Sequence, residues 1–341
     1  MFSRKIIPLG KSSLVVTLPS DWIKTNNLKR GDMLDVVIQK DQSLLIKPEY
    51  SEKKRENEIS LLLEEDEPTE SITRIIIGCY LNGYDFIKLK SKKIFSTTQQ
   101  KAIRDIVKKL FLRIIESDSK KVTIQALMDE AKVSLPTSIQ RMHIITGAMC
   151  EDILYSLNYW DIDLAFSVIN LEEDVDQFLF LLLRLVRGSL IDPSLASQLN
   201  LVLVDCLDWQ TLIYKIENVA DFVTIIAQSL INLEYLRTSI PKNIWSTLLK
   251  AAEVSFESYK ESVDHFLNAT VDHSNRLIDN QIKIEKLFLE ITPMPLRDVD
   301  DSTIFRHLCI IRENIQRIGE SAADIAELTI DRAYQPSNEK S

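Results

Sequence analysis

Glycine is scarce in this chain, 7 of 341 residues, and no Gly-rich phosphate cradle of the GxxxxGK[ST] type occurs. A P-loop nucleotide hydrolase is therefore not expected, because that chemistry needs backbone N–H groups wrapped around phosphate by glycine turns. Cysteine is equally sparse: Cys79, Cys150, Cys206 and Cys309 stand alone, with no CxxC spacing. They read as free thiols in a reducing compartment, not as a disulfide framework. The four histidines, at 143, 265, 273 and 307, form no zinc pattern and no Glu-x-x-His pair. That spacing speaks against a zinc hydrolase and against a di-iron oxidase. No Ser/His/Asp or Cys/His grouping stands out, so a non-enzymatic protein is expected. Apolar runs are short: Phe178–Leu183 is followed by Arg184 and Arg187. No stretch reaches the length of about 18 residues needed to span a bilayer. The chain opens on a polar strand without a leader pattern, and a soluble cytoplasmic protein is expected.

What is present is unevenly charged. The net charge is −9, yet residues 1–48 hold eight basic and four acidic side chains, a net of +4 that leaves −13 for the remainder. A basic end on an acidic body suits a chain that meets nucleic acid at one end only. The same +4 is also compatible with ordinary surface charge.

Local patterns divide the chain into five parts. Residues 1–48 alternate short apolar strands with turns, around a helix from Ser20 to Asn27 and a hairpin from Met33 to Pro48 turning at Lys40-Asp41-Gln42. A segment of about 48 residues is too small to bury an adequate core alone. Residues 49–70 are charge-dense, break at Pro68, and read as a linker. Residues 71–135 mix helix (71–82 and 97–111) with strand (86–90, 112–117 and 121–126) and read as a small α/β connector. From Pro136 the pattern is nearly all helix. Ser134 and Asp161 are placed to cap the first two helices. Asp192-Pro193 supplies an N-cap and a first-turn proline for one long third helix to about Ile231. Further helices are expected over 241–268, 270–290 and 301–331, with Thr292-Pro293-Met294-Pro295 forcing the last break.

The two helical sets align. Ala165–Ile169 sits over Ser274–Ile278, Val175–Phe178 over Ile284–Leu287, and Ile216–Asp221 over Ile315–Glu320. A repeat of about 100 residues, each a three-helix bundle, is the economical reading, spanning 136–231 and 240–331. Within the first repeat, Glu172 and Asp176 share a helix face, as do Glu217 and Asp221. Like charges at that spacing repel. One such pair in an acidic protein is commonly a solvated face; two pairs at corresponding places, thickened by Glu173 and Asp174, invite a cation between the helices.

Two family resemblances follow from these residues. The string Leu9-Gly10-Lys11-Ser12-Ser13 with Val16-Thr17-Leu18-Pro19 and Trp22 resembles the AbrB/SpoVT swapped-hairpin transcription factors. The resemblance implies a homodimer of interleaved strands that binds double-stranded DNA. Transferred position by position, it selects Arg4, Lys5, Lys11 and Lys24 as DNA contacts. The helical body resembles the PhoU family of phosphate-uptake regulators. This resemblance is carried by Glu172–Asp176, Ile216–Asp221 and Arg317-Ile318-Gly319-Glu320 through Ile325-Ala326-Glu327. It implies metal sites at Glu172, Asp176, Glu217 and Asp221, and at Glu285 and Glu320 in the second repeat, where Gln281 and Gln316 replace carboxylates. Mg²⁺, Mn²⁺, Ca²⁺ and Fe all suit oxygen ligands. The expected architecture is thus multidomain: a small β-rich swapped-hairpin head, an α/β connector and an all-α body of two three-helix bundles. The expected function is regulation of transcription and phosphate homeostasis, with a phosphate-transporter ATPase or a signalling protein as a further partner and no membrane insertion. The alternative is a dimeric adaptor that inhibits such a transporter without touching DNA.

Overall fold

The computed structural model describes residues 3–10, 13–38, 43–48, 56–128, 130–290 and 302–335. The chain divides into two units, Met1–Glu56 and Asn57–Ser341.

In the first unit, β1 (Ile7–Leu9) and β2 (Ser13–Val15) pair antiparallel, with Ile7 opposite Val15. Gly10 at the turn has φ +74°, a conformation that glycine reaches without a Cβ clash. Helix α1 (Ser20–Thr25) ends at Asn26, and Asn27 follows in the left-handed region at φ 53°. The Leu28 N–H then donates to the Ile23 carbonyl at 3.0 Å, satisfying a helix-end acceptor. Strands β3 (Leu34–Ile38) and β4 (Leu44–Pro48) form a second hairpin, Leu34 opposite Pro48. The expected turn at 40–42 lies outside the described residues. No described residue of this unit is buried. Ile6, Leu9, Leu14, Met33, Ile38 and Leu44 are each at least 60% exposed. Among the described residues of this unit, those apolar strands enclose no core.

The second unit begins with a four-stranded sheet of order β5-β6-β8-β7. Strand β5 (Glu58–Leu63) lies parallel to β6 (Phe86–Ser91), joined through α2 (Thr69–Leu81). This corrects the 49–70 linker, which contains a full strand. Its alternation is masked by charge, yet Ile59 and Leu61 are half-buried, Leu63 is buried and Glu58 ion-pairs with Lys88. Helix α3 (Thr97–Lys109) opens on a capping box in which Ser96 and Gln99 satisfy each other's backbone N–H at 3.1 and 3.0 Å. Strands β7 (Leu112–Ser117) and β8 (Lys121–Ala126) complete the sheet with antiparallel pairing. Ile72, Ile76, Ile87, Leu89, Ile103 and Ile124 fill the space between α2, α3 and the sheet.

The helices of the body follow. Helix α4 (Leu135–Tyr159) starts at Ser134, with a proline in its first turn, and stops at Trp160 in the left-handed region, φ 58°. Helix α5 (Ile162–Ile191) is capped by Asp161, which accepts from the Leu164 N–H at 3.0 Å. The single long third helix expected from Asp192 is two: α6 (Pro193–Gln198) and α7 (Leu203–Leu233). Asn200 adopts φ 56°, the Leu201 N–H closes back on the Ala196 carbonyl, and Asp205 accepts from the Val202 N–H to start α7. Helices α8 (Lys242–Leu267), α9 (Ser274–Glu290) and α10 (Ser302–Ala333) form the second set.

The two sets share one continuous core, because α10 packs on both α8 and α7 and α4 packs on α8. Trp160 stacks on Trp245 across them at 4.7 Å. One helical stretch, Leu203–Ser239, is long and apolar enough by composition to cross a membrane, which corrects the expectation that none would be. Half of its most apolar window is buried in the bundle, and the central position of α7 accounts for that hydrophobicity.

Candidate functional site

The basic residues expected to meet DNA sit at the ends of short elements in the first unit. Arg4 and Lys5 precede β1, Lys24 lies in the last turn of α1, and all three are exposed. Lys11 lies outside the described residues. Lys29 and Arg30 are also exposed just beyond α1. Side chains held this way on strand ends and a helix end keep their charge in water and available to phosphate.

In the body, the two carboxylate pairs of the first repeat lie on packed helices, near enough for their charges to act on one another. Glu172 and Asp176 project from α5, and Glu217 and Asp221 from α7. All four are partly buried, whereas Glu173 and Asp174 are exposed. Their mutual proximity shows in their acidity. Burial, reinforced by Asp221, Asp176 and Glu172, pushes the Glu217 carboxyl up to about 7. Burial and then the Asp176 charge raise Glu172, and the same two causes raise Asp221. Burial and neighbouring negative charge both disfavour the ionised carboxylates here.

A cation already reaches this cluster, and it comes from the connector. The Lys109 ammonium, at the end of α3, ion-pairs with Asp176, and its charge eases the ionisation of Glu172 and Asp221. Asp176 is 15% exposed and Lys109 31%. Among the described residues no three His, Cys, Asp or Glu side chains are grouped to hold a metal. The donor chemistry, all oxygen and short of positive charge, nonetheless suits a hard cation.

The second repeat is arranged differently. The Gln281 amide donates to Glu285 at 3.4 Å, and the Gln316 amide to Glu320 at 3.0 Å. Each carboxylate therefore has a neutral partner one turn away on its own helix, where the first repeat has a second acid. Glu285 is exposed and Glu320 partly buried.

Two residues of consequence were invisible in the sequence patterns. Lys109 looks like any lysine completing the last turn of a helix. Arg184, noted only as an interruption in an apolar run, is 2% exposed and fastens the connector to α5. Its Nε donates to Glu130 at 2.6 Å, and its Nη1 donates to the Tyr80 and Tyr84 carbonyls at 2.6 and 3.0 Å. The guanidinium also lies over the Tyr80 ring, 4.8 Å from its centre. An arginine inside Leu-Leu-Leu-Arg-Leu-Val was the available signal, since an arginine there must be buried and paired.

Fold and site together define a class: a two-repeat helical bundle with an acidic cluster, carrying an α/β connector and a basic, coreless N-terminal module. Residues 139–230 match the PhoU domain, and residues 9–55 match the model described as antidote-toxin recognition MazE, bacterial antitoxin. The chain thus carries a PhoU domain behind a MazE/AbrB-like module. Among solved structures, PhoU from Pseudomonas aeruginosa is similar at 18% identity and a TM-score of 0.47, over 57% of this chain and 93% of that one. No curated protein matches the chain.

Proposed function

We propose that this protein is a non-enzymatic, dimeric regulator of phosphate homeostasis, binding double-stranded DNA through residues 4–48 and responding to a bound cation in its PhoU-type body. The observation that carries the reading is the joining of a basic module with no buried residue to a PhoU domain. Exposed apolar strands at that density are covered in a stable protein. A second copy of the same hairpins is the symmetric way to cover them, and dimerisation then becomes part of folding. Arg4, Lys5 and Lys24 are exposed, and the family resemblance adds Lys11 to the set that would contact DNA. Lysines meet phosphate as point charges, so binding would be salt-dependent with modest base readout.

In the body, Glu172, Asp176, Glu217 and Asp221 would hold the cation, with Mg²⁺, Mn²⁺, Ca²⁺ or Fe all compatible with the donors. A hard cation supplies the positive charge that four half-buried carboxylates lack. Lys109, now on Asp176, would give way to it, so occupancy of the cluster would be felt by α3 and the connector. Glu285 and Glu320, each held by a glutamine amide, would form at most a weaker second site. A transporter ATPase or signalling protein remains a partner proposed for the body.

The deciding experiment is a gel shift of duplex DNA from the protein's own upstream region, at several salt concentrations. Salt-sensitive retardation that is lost in the Arg4, Lys5, Lys11 and Lys24→Ala variant supports DNA binding. Retardation retained by that variant removes the residue assignment. The match to an antitoxin model favours a second reading, in which the N-terminal module dimerises and grips a protein and the chain acts as an adaptor. A dimer that retards no duplex at any salt concentration would select it.

A further inference from the structure

Along its length α3 forms, with the edge strand β7, an open cleft of about 470 Å³ that neither the acidic cluster nor the N-terminal module uses. Lys101, Arg104 and Lys108 line it at helical spacing i, i+3 and i+7, which stacks them along one face. Arg113 joins them from β7, the edge strand of the sheet. All four are exposed, and among the described residues none takes part in an ion pair. The floor is apolar, built by Val107, Leu112 and Ile114. Asp105 is the one acid in the lining.

Helix electrostatics explains little of this. Lys108 near the C-terminus of α3 is favoured by the helix dipole, but Lys101 lies in its first half and Arg113 is on a strand. Cations at i, i+3 and i+7 repel one another, and the single carboxylate of Asp105, four residues from Lys101 and three from Lys108, offsets only part of that charge. The cleft is also held in shape. Only Leu110 and Phe111 separate α3 from β7, with Phe111 at φ 53° and Leu110 fully buried. Preorganised cations around a concave apolar floor are the chemistry that takes a phosphorylated small molecule.

We propose that this cleft binds a small molecule bearing two or more linked phosphates. Its phosphate oxygens would lie on Arg104, Arg113, Lys101 and Lys108, and any organic part on Val107, Leu112 and Ile114. Two arginines offer bidentate donation to phosphate, and the two lysines add point charges. The proposal stands apart from the DNA-binding reading, since it concerns the connector and requires no duplex.

The test uses the full-length protein in EDTA, so that no metal bridges a phosphate to the carboxylate cluster. Sodium tripolyphosphate, ATP and orthophosphate are titrated in turn by calorimetry. One saturable site per chain for tripolyphosphate and ATP is expected, with orthophosphate at least about tenfold weaker. Arg104→Gln with Arg113→Gln should weaken tripolyphosphate by about tenfold or more, by removing both bidentate donors. Both side chains are exposed, so Tm should hold; Lys101→Gln with Lys108→Gln provides the same reading if it does not. ATP binding more tightly than tripolyphosphate assigns a role to the apolar floor, and equal affinities support recognition of the phosphates alone. Absence of saturable binding, equal binding of orthophosphate, or unchanged affinity in both double variants overturns the proposal. Duplex DNA that loses affinity in these variants while tripolyphosphate does not bind would also overturn it, in favour of a nucleic-acid surface.

Discussion

Replacing Lys109 by methionine keeps most of the side chain's bulk and removes the ammonium from the carboxylate cluster. Glu172, Asp176, Glu217 and Asp221 then face one another with their one connector-borne cation gone. The size of the effect is bounded from two sides. Breaking a fully buried pair costs about 3–5 kcal/mol, and an exposed pair about 0.2–1 kcal/mol. With Asp176 at 15% and Lys109 at 31% exposure, the pair lies between these limits. A loss of about 2 kcal/mol follows, a drop in Tm of about 3 °C for a unit the size of Asn57–Ser341. That drop should appear in EDTA by differential scanning calorimetry.

Adding Mg²⁺ or Mn²⁺ should reverse it. A ligand at a hundred times its Kd contributes about 2.7 kcal/mol to the folded state. In the variant that gain is not reduced by displacement of an ammonium, so the metal-induced rise in Tm should exceed that of the unaltered protein. An unchanged Tm in EDTA, or an equal rise with metal in both proteins, would refute the idea that Lys109 and a metal share one electrostatic role.

Other outcomes follow from the same geometry. Glu217 is a carboxyl raised from 4.5 to about 7. The folded state therefore holds a proton that the unfolded chain has released, and stability should fall as pH rises from about 4.5 to 7. With the side chain half-exposed, solvent screening limits the effect to about 1 kcal/mol. Glu217→Gln should flatten that slope in metal-free Tm measurements, and a slope unchanged by the substitution would assign the pH dependence elsewhere. Arg184→Met should cost about 3–5 kcal/mol, because it removes a buried guanidinium that donates to Glu130 and to the Tyr80 and Tyr84 carbonyls. Faster amide exchange confined at first to α2 and the connector sheet is the expected signature, and uniform exchange across the body would contradict it. If the proposed dimer forms through these strands, Leu14→Glu with Ile38→Glu, at positions 71% and 67% exposed, should give a monomer in light scattering. A dimer that tolerates both charges would place the subunit contact outside these strands.

The parts of the fold set by local chemistry were readable. Ser134 and Asp161 start helices where their side chains can accept from the first turn, and strands 112–117 and 121–126 fall where their alternation placed them. Strand β5 is not legible in the sequence because its six residues sit among charges and its partner, β6, lies across a whole helix in the chain. The break before α7 is not legible either, because Asn200 in a left-handed conformation carries no signature beyond its residue type. The four acids of the first repeat were found by their spacing of one helical turn, a local property. That α5 and α7 lie close enough for the two pairs to influence each other's charge is a matter of packing.

Residue spacing by itself thus determined the helices, the repeat, the acidic faces and the basic N-terminal end, since each depends on neighbours within a turn or a hairpin. Tertiary structure alone decided that Lys109 reaches Asp176, that Arg184 is sealed between sheet and bundle, and that Arg113 joins the cations of α3. Electrostatic energy depends on distance through space and on the depth at which charges are buried, and a linear order of residues contains neither.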